Sequence, residues 1–186
     1  MLVRQPPRPV KFFFGVLYSE ESIYIRAREL LAEKYGTCDF ETKPVPFTFT
    51  DYYQEEMGSG LLRRFFSLRT LRTPARLVGI KLDSIGVEKK FSVGERRKIN
   101  IDPGYINEAK LVLASTKDFS HRIYLSRGIF AEVTLTYQHR KFRPLPTTFP
   151  DYRTEWYREQ FEQIRTRYRE QLLEKPHEYR RKDHPA

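Results

Sequence analysis

Hydrophobic and polar positions alternate most cleanly between Lys98 and Tyr137. Ile129, Ala131, Val133, Leu135 and Tyr137 fall on one face of a strand, with Phe130, Glu132, Thr134 and Thr136 on the other. Upstream, Ile99 and Ile101 point one way and Asn100 and Asp102 the other. Such β-rich runs are separated by Asp102-Pro103-Gly104, Asp118-Phe119-Ser120 and Ser126-Arg127-Gly128. The pattern predicts a sheet with one apolar face and one face carrying Asn, Asp, Arg and Glu.

The rest of the chain supplies helices and further strands. Val10 to Tyr18 is an unbroken apolar run, as expected of a buried central strand. Ser19 can cap a helix in which Ile23, Ala27, Leu30, Leu31 and Tyr35 repeat at helical spacing, and Gly36 stops it. Phe40 to Thr50 contains Pro44 and Pro46, which demote it to an edge or interrupted strand. Thr50 to Gly58 is a polar, aromatic and acidic excursion or short helix. Leu61 to Leu71 predicts the return strand, with a basic helix as the alternative. Thr73-Pro74 opens a second helix through Leu77, Ile80, Leu82 and Ile85. Val87 to Arg97 spans its end and a loop. Lys141 to Asp151 carries three prolines and predicts a loop. Tyr157, Phe161, Ile164, Tyr168 and Leu172 then form the stripe of an amphipathic helix that Pro176 ends.

The expected fold is α+β: a ferredoxin-like βαββαβ core, additional C-terminal antiparallel strands and a final amphipathic helix. A more open α+β sandwich is the alternative. The expected organisation is a Pro-rich lead-in over 1–9, a single domain over 10–175, and a charged, disordered tail over 176–186.

Charge narrows the partners. A formal net charge of +10 favours contact with an anionic partner: nucleic acid, a nucleotide, a phosphorylated metabolite or an anionic surface. A merely soluble basic surface is the plain alternative. No apolar run is long enough to span a bilayer, so no membrane partner is expected. Phe12 to Leu17, behind Arg4, Arg8 and three prolines, reads as the first strand and not as a secretion signal. Cys38 is the single cysteine, which points to a reducing, cytoplasmic location.

Asn100 and Asp102 stand two apart on one strand face, next to a tight Pro-Gly turn, where a general base or metal ligand is often found. Ordinary turn chemistry explains the same residues. His121 and Arg122 open the next strand after Lys117, and Glu132 shares a face with Thr134. If these strands pair as a meander, Asn100, Asp102, Arg122, Glu132 and Thr134 converge. A cross-strand Arg122–Glu132 pair on a solvated face is the simpler reading. Asp102, Glu132 and His121 are adequate ligands for a divalent ion, although no spacing signature marks one. Phosphate-loop, dinucleotide, nucleophile-elbow and zincin motifs are all absent, which argues against those enzyme classes. Arg63-Arg64-Phe65-Phe66, with Arg69, Arg72 and Arg76, interleaves charge and rings as a single-stranded nucleic-acid platform would, or else flanks core aromatics.

Taken together, Pro9 to Phe13 and on to Ser19, Phe47 to Tyr53 and on to Gly58, Asn100 to Tyr105, Leu113 to Asp118, His121 to Leu125 and Phe149 to Tyr152 resemble a bacterial family filed as domain of unknown function 4416. The resemblance covers roughly Pro9 to Leu172. It places emphasis on Asp51, Tyr52, Tyr53, Glu56, Asn100, Asp102, Gly104, Lys117, His121, Arg122, Glu132 and Asp151. The leading expectation is a site for a phosphate-bearing ligand such as a nucleotide, on the polar face of the central sheet. In it, Asp102, Glu132 and His121 supply acid/base chemistry, and Asp102 and Glu132 are also the candidate metal ligands. Asn100, Lys117, Arg122, Thr134, Asp51 and Tyr53 contact the ligand. An RNA-binding module, or a non-enzymatic scaffold using the last helix, are the alternatives.

Overall fold

The apolar run near the start of the chain becomes the middle of the molecule. In the computed structural model, which describes residues 6–174, all eight residues of β1 (Lys11–Tyr18) are buried. The chain continues through α1 (Glu21–Tyr35), β2 (Cys38–Glu41), β3 (Val45–Pro46), α2 (Gln54–Met57), β4 (Leu62–Leu68) and α3 (Leu77–Lys90). It then forms β5 (Ile99–Ile106), β6 (Lys110–Ser115), β7 (Ile123–Ser126), β8 (Ile129–Gln138), β9 (Lys141–Pro144) and α4 (Glu155–Glu174). Short 3-10 turns at Pro74–Arg76 and Asp151–Arg153 lead into α3 and α4. The nine strands make one antiparallel sheet in the order β2-β4-β1-β5-β6-β8-β7, with β3 beside β4 and β9 beside β8. The fold is α+β, and β1, α1, β2, β4, α3 and β5 follow one another as βαββαβ with β3 and α2 inserted.

Both faces of the sheet are covered, which corrects the expectation of one apolar and one polar face. Phe12, Phe14, Val16 and Tyr18 pack beneath α1 and α3 against Tyr24, Leu31 and Ile80. Phe13, Phe65, Leu113 and Leu135 pack on the other side against Tyr157, Phe161 and Ile164 of α4. A strand that is apolar at successive positions needs a hydrophobic layer on each side. A small third cluster of Leu17, Phe47, Met57 and Leu61 lies on α4's face, further along β1. Gly15 stands between the two clusters.

Smaller corrections have local causes. Glu20, not Ser19, holds the N-cap of α1 and makes no side-chain cap bond, whereas Gly36 ends the helix at φ 101. Val87 and Glu88 are buried and keep α3 helical to Lys90, so the stretch from Val87 to Arg97 holds the end of the helix and then a loop, as expected. The proline-rich stretch after Gln138 contains β9, which pairs with β8 before the prolines accumulate. The first residues of the lead-in, Pro176 and the charged tail lie outside the described residues. Among the described residues, no helix is long and apolar enough to cross a membrane.

Candidate functional site

β5 and β6 pair over only three residues each, Gly104 to Ile106 against Leu111 to Leu113, and then splay apart. Splaying frees the N–H and C=O of Ile101, and buried side chains of α3 take both. Glu88 Oε1 accepts from the Ile101 N–H at 2.6 Å and Lys81 Nζ donates to its carbonyl at 3.0 Å. The splay opens into a cleft of about 1010 Å³ between the 47–56 excursion, the end of α3, the 115–122 loop and the 149–152 segment.

Asp102 is the hub of one wall. Lys81 Nζ lies 3.3 Å from its Oδ1, and Asn100 Nδ2 donates to its Oδ2 at 2.8 Å. Asn100 Oδ1 in turn accepts from Arg97 Nη1 at 3.0 Å, and Arg97 grips Glu56 through Nε and Nη2 at 2.6 and 2.7 Å. Arg63, buried on β4, approaches Asp102 at 3.9 Å through Nη1 and bonds Asp151 at 3.3 Å through Nη2. Phe47 and Phe65 flank its guanidinium, with ring centres 5.2 and 5.7 Å away. Arg63 Nε and Nη1 and the hydroxyls of Tyr152 and Tyr157 are buried and find no hydrogen-bond partner among the described residues. Burial pushes the Tyr53 phenol up to about 12, with Asp102 adding to the effect. Burial likewise raises Asp151, against the pull of Arg63.

Glu132 is the hub of the facing wall. It is buried, and its Oε2 accepts from Arg122 Nε at 2.7 Å and meets His121 Nε2 at 3.0 Å. Thr134, also buried, donates to its Oε1 at 3.2 Å. Arg122 Nη1 reaches Ser115 Oγ at 2.7 Å and the Lys117 carbonyl at 3.0 Å, which fixes the loop that carries Lys117.

Of the residues singled out in the sequence, Asn100, Asp102, Tyr53, Lys117, Arg122 and Glu132 line the cleft. Thr134 and His121 sit behind Glu132, outside the lining, and Asp51 is exposed and holds Gln54 at the start of α2. Asp102 and Glu132 stand on strands separated by β6, and each has its own hydrogen-bond partners. Among the described residues, no group of three or more His, Cys, Asp or Glu is placed to hold a metal ion. The Arg63-to-Phe66 run is not a stacking platform, because Phe65 and Phe66 are fully buried and Arg63 with them. The apolar stripe of α4 is also spent, against the sheet.

Lys81, Glu88 and Arg97 were not singled out as site residues, and Arg63 was singled out only for the nucleic-acid platform. Arg63 alternates with Phe65 on the inward face of β4, and Lys81 and Glu88 interrupt the buried side of α3. A charge in the buried stripe of a strand or helix is the signal that marks such residues.

The Arg97 fork lowers the Glu56 carboxyl below its usual range. A depressed folded value means that the pair's contribution is complete above about pH 5 and is lost as pH falls through the folded value. Glu56→Gln removes that dependence. Urea midpoints measured from neutral to acid pH are expected to converge for wild type and Glu56→Gln as pH falls. A constant gap would contradict the assignment.

No curated protein and no solved structure matches the chain. One family model does, over residues 8–168 and therefore over both walls of the cleft. The chain belongs to the family described as Domain of unknown function (DUF4416).

Proposed function

We propose that the protein binds a small phosphate-bearing molecule with a planar ring, of the nucleotide class, in the cleft between β5 and β6. The observation that carries this reading is the composition of the cleft mouth. Phe49, Tyr52, Phe119 and Phe149 are all exposed there, although large rings are normally buried. Lys117 stands among them, its ammonium 4.6 Å from the centre of the Tyr52 ring and 3.2 Å from the Tyr52 hydroxyl. Among the described residues no carboxylate pairs with it. Exposed rings beside an unpaired ammonium suit a stacked base next to a phosphate. The single, half-buried Cys38 fits a reducing, cytoplasmic setting.

Thermal shift of the full chain against nucleotides and phosphorylated metabolites tests the reading. A ligand at a hundred times its Kd stabilises the native state by about 2.7 kcal/mol. Tyr52→Ala and Lys117→Ala should each weaken that ligand by roughly tenfold, since stacking on one ring is worth about 1–3 kcal/mol. No shift across the panel, or a shift unaffected by both variants, overturns it.

A further inference from the structure

The inner end of the cleft has chemistry that the mouth does not. Arg63, Asp102 and Tyr152 line its floor, and Gly15 is the cross-strand partner of Asp102. A Cβ added at Gly15 would lie 3.0 Å from the Phe65 ring, 3.1 Å from the Tyr152 hydroxyl and 3.2 Å from Arg63 Nη1, so the two polar groups meet beside that ring over the one residue of β1 that lacks a side chain. Arg63, Tyr152 and Tyr157 are each at least nine-tenths buried, at 3%, 3% and 2% exposure. The Tyr157 phenol sits beside the guanidinium without meeting hydrogen-bond geometry. Two of the buried donors without an acceptor, Arg63 Nη1–H and the Tyr152 phenol, thus belong to residues that line the cleft beside Asp102. Burying donors with no acceptor is unfavourable, and a bound group that accepts from them removes that cost.

We propose that this floor is a subsite for an uncharged hydroxyl-bearing group, the sugar end of the ligand, with the phosphate left at the mouth by Lys117. The charges around the floor balance. Arg63 and Lys81 face Asp102 and Asp151, so a phosphate buried there would lose hydration without meeting net positive charge. A hydroxyl matches in both directions. Its oxygen accepts from Arg63 and Tyr152, and its proton goes to Asp102, whose position Lys81 and Asn100 fix. A carbonyl would use the donors and add no bond to Asp102. The assignment rests on the cleft being the ligand site, and it names the part of the ligand that goes deepest.

The test compares the four ribonucleoside 5′-monophosphates with their 2′,3′-dideoxy counterparts, titrated into the full chain. Wild type is expected to prefer the ribonucleotide by tenfold or more, because a site built around a hydroxyl leaves its own polar groups unpaired when that hydroxyl is missing. Tyr152→Phe and Tyr157→Phe remove only orphaned hydroxyls. Both should melt at or above the wild-type temperature, and Tyr152→Phe, which changes a residue of the cleft lining, should reduce the preference. Equal binding of the two ligand types, both weakened by Lys117→Ala, overturns the floor assignment and leaves the cleft reading standing. A preference that survives Tyr152→Phe also overturns the floor assignment. Binding of neither ligand type overturns both.

Discussion

Glu132→Ala is expected to lower the unfolding free energy by about 3–5 kcal/mol, because it strands a buried guanidinium. The side chains of Glu132 and Arg122 are 2% and 3% exposed. Phe119 and Phe149 lie against the guanidinium at 4.5 and 5.7 Å, so it cannot reach water without breaking those contacts. His121 and Thr134 lose their acceptor as well. Urea denaturation at neutral pH measures the loss, and a loss below about 1 kcal/mol would place the pair with ordinary surface bridges. The double variant Glu132→Leu/Arg122→Met should recover most of it, since removing both charges leaves neither unpaired. Arg122 also fixes the loop bearing Lys117 and Phe119, so Glu132→Ala should weaken any ligand held at the mouth of the cleft.

Gly104→Ala is expected to cost about 3 kcal/mol or more, for a steric reason. Gly104 lies where β5 and β6 still pair, immediately before they splay. A Cβ there would be 2.5 Å from the Val112 carbonyl oxygen, 2.8 Å from the Phe13 ring and 2.9 Å from Leu113 Cδ2. Backbone forms the closest of these contacts and cannot rotate away, so the strands must separate. Gly79 and Gly86 are the controls: a Cβ at either meets nothing within 4 Å, and both lie in α3. Alanine there should stabilise by about 0.5–1 kcal/mol through lower unfolded-state entropy and better helix propensity. Thermal midpoints of the three variants settle the comparison. A Gly104→Ala protein as stable as wild type would mean that β5 and β6 can part at no cost.

Local pattern was a reliable guide where one periodicity dominated. The stripe of Tyr157, Phe161, Ile164 and Tyr168 is the buried side of α4, and the apolar run from Val10 to Tyr18 is the central strand. It was a poor guide where composition and pairing disagreed. β9 was hidden among prolines because a four-residue strand is defined by its neighbour β8, not by its own letters. The expected polar sheet face rested on Asn100, Asp102, Glu132 and Thr134. Those side chains are polar, but the same face is covered by α4 and the α2 excursion, whose docking no strand alternation can report.

The candidate site divides along the same line. Asn100 and Asp102, two apart on one strand, share a face by backbone geometry, and so do Glu132 and Thr134 in the pattern of β8. Spacing that short is fixed by covalent structure and is therefore legible in the chain itself. The approach of Arg63 from β4, Lys81 and Glu88 from α3, and Tyr152 from the turn before α4 depends on contacts between residues 13 to 137 positions apart. So does the splay of β5 from β6 that creates the cleft. Those distances are set by how helices settle on a twisted sheet, a balance of packing over the whole domain that no short window of sequence contains.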